Sequence, residues 1–197
     1  MPAHAPVCPD ERSALHGFLR QQQNALRTAA HGLTDEQAGL RTTAGTLSVG
    51  TLLKHVTLAS QSWLDVAYAA PGRPAPEPDP EAAMAAWTAA WTWAPSDTLA
   101  DALAAFDAVA AAVLDAVTTL DLDTPAPVPA APWFPQDVEA WSVRWVWFHL
   151  IEELARHAGH ADIVREGIDG ASAIELLAGR EGWPEMPFVK PWRPAAA

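Results

Sequence analysis

The sequence predicts an all-α protein built as a bundle of four long helices. Apolar residues recur at helical spacing in four segments of about 20 residues or more. The alternating runs of Val, Ile and Tyr that are typical of strands are missing, so the chain has little from which to build a sheet. Two proline-rich segments are long enough to cross the bundle, and a simple up-down-up-down order is therefore not assured. We expect one domain over residues 1–197, with its core at about 10–170.

The first two long helices are predicted in the N-terminal part of the chain. The first covers residues 10–31 and ends before a glycine. Thr34 begins a capping-box pattern, which is expected to open a short helical turn. Ser48 is the predicted N-cap of the second long helix, which runs to about Tyr68. The inward face of this second helix is expected to carry Leu52, His55, Ala59, Ser62 and Val66.

A proline-rich connection separates these two helices from the third. Residues 71–80 contain five prolines, which exclude a regular helix or a central strand. A short helix is expected over residues 81–93. Ser96 is the predicted N-cap of the third long helix, which covers residues 97–120.

The fourth long helix follows a second proline-rich segment at residues 124–135. Its apolar residues repeat at helical spacing over Trp145–Gly170, and the glycine is a typical helix end. After it we expect a short helix at residues 171–178 and an irregular tail to residue 197.

The charge and the cysteine content limit the binding partners and the cellular location that we expect for the protein. The chain has 24 acidic and 12 basic residues, a net charge of −12, which argues against binding to nucleic acid or to an anionic membrane. A single cysteine, Cys8, rules out an intrachain disulfide. Neither a signal peptide nor a run of about 18 apolar residues is evident, so a cytoplasmic protein is expected.

The fourth predicted helix carries an unusual stripe of ionisable side chains. Because a helix advances about 100° per residue, the members of this stripe lie within about 80° of one another: His149, Glu153, His157 and His160. The opposite side of the helix is suited to water, with Glu152, Ala155, Gly159, Asp162 and Glu166. The stripe adjoins the flank that is predicted to be buried, where ionisable groups are costly unless they are paired or bound.

Binding of a divalent metal explains this stripe. Glu153 and His157 lie one turn apart, and His55 is the only other histidine in the middle of a long predicted helix. Two imidazoles and one carboxylate leave coordination positions open, as in catalytic zinc sites, and the same donors suit Fe(II) or Ni(II). His149 and His160 are expected to orient the ligand rings, to contact substrate or to supply a fourth ligand.

Each of these residues also has a purely structural interpretation. A lone histidine on an apolar face, such as His55, is more often hydrogen-bonded to the backbone than bound to metal. Glu153 can form an ordinary ion pair with Arg156 or His157, and His160 can face the rim of the bundle. Composition and spacing alone support the metal and the structural interpretations about equally.

Tryptophan is abundant, with ten residues in the chain. Trp87 and Trp91 share a helical face, and most of the tryptophans are expected to pack in the core or in a dimer interface. Trp145 lies one turn before His149, and we expect it to form the wall of a pocket.

Two blocks of sequence resemble a known family. Residues 145–170 read WVWFHLIEELARHAGHADIVREGIDG, while residues 33–38 read LTDEQA and residues 47–55 read LSVGTLLKH. The first block is similar to the last core helix of the DinB-like superfamily, specifically its DUF664 branch. The other two resemble that family's first connection and second helix. Together the blocks cover under half of the chain, and their order matches.

The resemblance implies a DinB-like four-helix bundle with crossover connections and a metal held near one end. Family members commonly use one histidine from the second helix, matched here by His55, and a His-x-x-x-His pair from the last, where His157 matches. Glu153 replaces the other histidine of the pair, and the mycothiol-dependent maleylpyruvate isomerase branch is similar in having Glu-x-x-x-His. His160 stands where many relatives carry glutamine, which favours a role in orienting ligands or contacting substrate.

The function implied by this resemblance is a metal-dependent thiol S-transferase or isomerase that acts on a small electrophilic molecule. Zinc is the expected metal, with nickel or iron as alternatives, and a low-molecular-weight thiol such as mycothiol is the expected co-substrate. The alternatives are a non-catalytic stress protein that binds metal or a small molecule, and a purely structural bundle. A homodimer is also expected.

Arg144 and Arg165 are interpreted as solvated charges, and no catalytic residue beyond the ligands is identified.

Overall fold

The computed structural model describes residues 3–74, 79–129, 131–135 and 137–194. Over these ranges it contains seven helices and two short strands, which confirms the prediction of an all-α protein. Residues 75–78 of the first predicted proline-rich connection, residue 130 of the second and the last three residues of the predicted tail lie outside the described ranges. In chain order the elements are α1 (Glu11–Ala29), α2 (Asp35–Ala38), α3 (Val49–Ala69), α4 (Pro80–Ala90), α5 (Leu99–Thr119), β1 (Pro125–Pro127), β2 (Ala140–Ser142), α6 (Val143–Asp169) and α7 (Ala173–Glu181).

Short-range signals in the sequence set several helix ends. The side chain of Thr34 accepts a hydrogen bond from the backbone N–H of Gln37, whose side chain accepts in return, so the predicted capping box forms. Ser48 and Thr51 make the same reciprocal arrangement at the start of α3. Gly170 ends α6 with a left-handed φ of 74°, a conformation that costs glycine little.

The start of α5 differs from the prediction. Thr98, rather than Ser96, is the N-cap, and its side chain accepts from the backbone N–H of Asp101. The helix begins later because Asp97 is used elsewhere: its carboxylate accepts from the N–H of Ala94 and pairs with Lys54. A tertiary ion pair therefore decides which of two neighbouring hydroxyl residues caps the helix.

The four long helices form a bundle with crossovers. α1 packs against α5 and α6, and α3 packs against the same two helices. The consecutive helices α1 and α3 therefore lie on one diagonal of the bundle, and α5 and α6 lie on the other. The two crossovers are therefore the connection from α1 to α3 and the connection from α5 to α6. The proline-rich connection at residues 71–80 instead leads into α4 and joins neighbouring helices, so only the second proline-rich segment crosses the bundle.

A small hairpin precedes α6, which the sequence pattern does not predict. β1 and β2 pair in antiparallel fashion, with Ala126 opposite Trp141. Each strand is only three residues long and β1 contains two prolines, so no period-two pattern is available to reveal them. The pairing directs the chain into α6, whose N-cap is Ser142.

The core lies where the inward faces of the long helices meet. Leu52 and Val66 of α3 are buried as predicted, whereas Ser62 is exposed and donates to the backbone oxygen of Leu58 one turn earlier. On α6, Asp162 is half-buried rather than in water, because α6 packs against α1 more extensively than a simple amphipathic pattern indicates. The largest buried side chains include Trp147, Arg165, Phe106, Leu15, Leu19, Leu150 and Leu154.

The two arginines that were interpreted as solvated both form ion pairs. Arg165 is fully buried and pairs with Asp169, while it also donates to backbone oxygens at the end of α1. Arg144 binds the carboxylates of Glu11 and Asp123. Helical spacing places Arg165 near the flank of α6 that is predicted to be buried, but it does not show that α1 ends against this side chain. The prediction of a solvated Arg165 was wrong for this reason.

One helix of the described part of the chain, α5, is long and apolar enough by length and composition to cross a membrane. In the bundle it packs against α1 and α3. Its buried residues include Phe106, Val113 and Val117, and 28% of its apolar window is buried.

Candidate metal centre

The three predicted ligand residues come from the middle of two helices that pack together. His55 lies about two turns after the capping box that fixes the start of α3. Glu153 and His157 lie one turn apart on α6, where side chains four positions apart share a face. Because α3 packs against α6, the face of α6 that carries these two residues meets His55.

The side chains converge on one carboxylate oxygen. His55 Nε2 lies 3.1 Å from Glu153 Oε1, and His157 Nε2 lies 3.2 Å from the same atom. The two imidazole rings meet edge to face with their centroids 4.6 Å apart. One ligand atom from each residue lies within 4.8 Å of the other two, and both histidines are buried.

The donor set fits a divalent transition metal. Donor atoms that share a tetrahedral zinc ion at about 2.0–2.2 Å lie roughly 3.3–3.6 Å apart, slightly farther than the nitrogen–oxygen distances of 3.1 and 3.2 Å between Glu153 and the two histidines. Two neutral imidazoles and one carboxylate also leave at least one coordination position for a small ligand. The same set suits iron or nickel, so the geometry alone does not select the metal.

Electrostatics keep the central carboxylate ionised. Hydrogen bonds from His157 and then His55 hold the pKa of Glu153 well below its usual range, and they outweigh the opposite effect of burial. Nδ1 of His55 is buried and has no hydrogen-bond partner among the described residues. A buried polar atom without a partner is costly. The cluster therefore carries more polar groups than its own hydrogen bonds satisfy.

The two remaining histidines of the stripe lie in different surroundings. Nδ1 of His160 lies 3.4 Å from Nδ1 of His157, so His160 is placed to orient that ring. His149 instead contacts Trp63, with ring centroids 4.5 Å apart, and stacks on Trp145. The structure thus brings His160 into contact with one predicted ligand, His157, whereas the contacts of His149 are with Trp63, Trp145 and Glu152.

Trp145 belongs to an aromatic stack beside His149. Its ring lies parallel to the imidazole, with centroids 5.1 Å apart and an interplanar angle of 4°. On its other side it stacks on Trp141 at 3.8 Å. The stack runs from His149 towards the start of α6 and reaches Trp141 in β2, so it leads away from the candidate ligands. Its role as the wall of a pocket stays a prediction.

Sequence reasoning missed the two aromatic residues that cover His55. The Trp91 ring stacks on the His55 ring with centroids 4.0 Å apart, and the Trp87 ring meets it edge to face at 5.9 Å. Their spacing of four indicates a shared helical face, but nothing in the sequence shows that this face meets α3. The short helix predicted over residues 81–93 also ends three residues earlier than expected, since α4 ends at Ala90 and Trp91 is its C-cap.

The comparisons with known proteins agree with this architecture. The family model described as mycothiol-S-transferase matches residues 14–170, which include every residue of the candidate metal centre. A search of curated proteins found no match. The family is a member of the DinB-like group, so the resemblance stated from the sequence is confirmed. Because the match covers most of the chain, the chain belongs to the mycothiol-S-transferase family.

Proposed function

We propose that this protein is a metal-dependent S-transferase that joins the sulfur of mycothiol to a small electrophile. The observation that carries the proposal is the convergence of His55 and His157 on the ionised carboxylate of Glu153 within a bundle of the mycothiol-S-transferase family. A bound divalent ion lowers the pKa of a thiol, so that a thiolate forms near neutral pH.

The residues of the chain have separate tasks in this reaction. His55, Glu153 and His157 would hold the ion, and the negative charge of Glu153 offsets part of its charge. His160 orients the ring of His157. In the transfer, the thiol proton is lost to water and a bond forms between sulfur and the electrophilic carbon. The bond from that carbon to its leaving group breaks, and the leaving group departs with the electron pair.

Zinc is the metal we propose, with nickel and iron as alternatives, because the donor set matches catalytic zinc sites. Elemental analysis of untagged protein, purified without chelators, tests this directly. We expect about one divalent metal per chain in the wild type. His157→Ala should lose most of the metal, whereas His16→Ala, which changes a histidine on α1, should retain it. Metal-free wild-type protein would contradict the proposal.

Thiol consumption separates transfer from simple binding. With mycothiol and 1-chloro-2,4-dinitrobenzene we expect conjugation by the wild type and by His16→Ala, and its loss in His157→Ala. Removal of metal with a chelator should abolish the reaction, and added zinc should restore it. Bound metal without any thiol consumption, over a panel of electrophiles and thiols, would favour the non-catalytic stress protein instead. A homodimer and a cytoplasmic location stay predictions from the sequence.

A further inference from the structure

An apolar surface lies next to the candidate metal centre. It is formed by the outer turns of α4, where Met84 and Trp87 are exposed, and it continues into Trp91, whose ring stacks on His55. The Trp87 side chain is 51% exposed although it touches both His55 and Trp91. Large exposed aromatic groups beside a candidate reaction centre are typical of ligand contacts.

The position of Trp91 is fixed by anchors on the residues that follow it. The ammonium group of Lys54 donates to the backbone oxygen of Thr92 at 2.8 Å. The Trp93 ring packs so closely on two glycines, Gly39 and Gly50, that a Cβ at either would lie within 2.4 Å of it. Trp91 is thus held over His55 by its neighbours, and its ring forms a preorganised surface for a ligand.

The charges around the centre do not favour an anionic ligand. The basic residues next to the candidate ligands in the sequence are already paired: Lys54 with Asp97 at 2.6 Å and Arg156 with Glu152 at 3.0 Å. With a thiolate bound, the charges of the thiolate and of the ionised Glu153 would together balance that of a divalent ion. A carboxylate on the electrophile would therefore meet neither a net positive centre nor an unpaired cation at these two basic residues.

We propose that Trp87 and Trp91 bind the electrophilic substrate, and that this substrate is an uncharged molecule with an aromatic ring. The inference rests on the proposed function and adds the substrate class. The flat indole surfaces stack against the aromatic ring of the substrate while its electrophilic carbon faces the thiol. With benzyl chloride, the sulfur–carbon bond forms as the carbon–chlorine bond breaks. Chloride leaves with the electron pair, and the thiol proton passes to water.

Rates with three matched electrophiles test the substrate class. We expect the wild type to favour benzyl chloride over allyl chloride and over 4-(chloromethyl)benzoate, after correction for their uncatalysed rates. Trp87→Leu and Trp91→Leu should each raise KM for benzyl chloride about tenfold, with little change for allyl chloride. Trp133→Leu removes an indole that is 78% exposed on the loop between β1 and β2, and should behave as the wild type.

Binding measurements keep this inference distinguishable from the proposed function. Isothermal titration compares the S-benzyl and S-methyl conjugates of mycothiol, neither of which requires turnover. We expect the S-benzyl conjugate to bind about tenfold more tightly to the wild type, and this advantage to disappear in Trp87→Leu. Metal content is measured in each variant, because Trp91 touches a candidate ligand.

The results of these experiments bear on the substrate class and on the transferase proposal separately. Conjugation that shows no preference for the aromatic electrophile, with equal binding of both conjugates, overturns the inference and leaves the transferase proposal intact. Absence of conjugation with every electrophile overturns the transferase proposal, while a Trp87-dependent advantage of the S-benzyl conjugate still supports an aromatic ligand at this surface.

Discussion

The buried arginine of α6 allows a stringent test of the fold, with Arg165→Met as the perturbation. The Arg165 side chain is 0% exposed and donates to the backbone oxygens of Ala29 and His31 at 2.8 and 2.7 Å. It also makes two bonds to the carboxylate of Asp169, at 3.0 and 2.9 Å. Methionine retains the apolar stem of the side chain but leaves these acceptors without their donor.

The expected loss follows from burial. Removal of one partner of a buried ion pair costs about 3–5 kcal/mol, because the remaining groups lose their compensation. The side chain of Asp169 is 24% exposed and is reached by water, which places the expected loss near the lower end, at about 3 kcal/mol. This is a substantial part of the roughly 5–15 kcal/mol that stabilises a typical domain.

The same helix provides a matched control. Arg156 and Glu152 form an ion pair with the same spacing of four residues, but the Arg156 side chain is 62% exposed. Arg156→Met is therefore expected to cost only about 0.3–0.5 kcal/mol. Urea unfolding followed by tryptophan fluorescence measures both variants. A difference of less than about 1 kcal/mol between the two variants would refute the reasoning that burial decides the strength of the pair.

Three further variants test other features by urea unfolding. Burial raises the pKa of Asp162 to about 6, with a smaller contribution from Glu166, so the folded state binds more protons than the unfolded state between about pH 4 and 6. The contribution of Asp162 to the free energy of unfolding should thus fall as the pH rises through this range. Asp162→Asn should remove this contribution and gain on the order of 1 kcal/mol relative to the wild type at pH 7.5, since partial exposure weakens the effect; a constant difference between the two pH profiles would contradict this. Gly50→Ala places a Cβ 2.3 Å from the Trp93 ring and should cost about 2 kcal/mol or more, so an unchanged midpoint would show that the indole moves freely. Gly159→Ala meets no heavy atom within 4 Å on an exposed helical position and should gain about 0.5–1 kcal/mol, and a loss there would reveal an unseen contact.

Much of the fold follows from periodic and short-range patterns. The four long helices and the caps at Thr34 and Ser48 depend on residues a few positions apart, and these predictions are confirmed. The crossover order is confirmed as well. It required the family resemblance, because proline-rich composition alone pointed to residues 71–80 as a crossover, where the structure has a connection between neighbours.

The candidate centre could likewise be predicted from the sequence only in part. The face shared by Glu153 and His157 follows from helical spacing, and the meeting with His55 follows once α3 and α6 are known to pack together. Their binding of a metal stays a prediction. The cover formed by Trp91 could not be predicted, because it depends on how α4 docks on α3. The same applies to Arg165, whose backbone acceptors at the end of α1 lie more than 130 positions away in the chain.

The separation of the three donors along the chain has a consequence for how the protein responds to stress. His55 and Glu153 are 98 positions apart, so a peptide of α3 or of α6 alone carries an incomplete set. Any fluctuation that lifts α3 from α6 disperses the set, and an ion held by all three residues would oppose that fluctuation by a free energy that grows with the logarithm of the free ion concentration. On this basis, the supply of metal in the surroundings would govern how often the centre of the bundle opens.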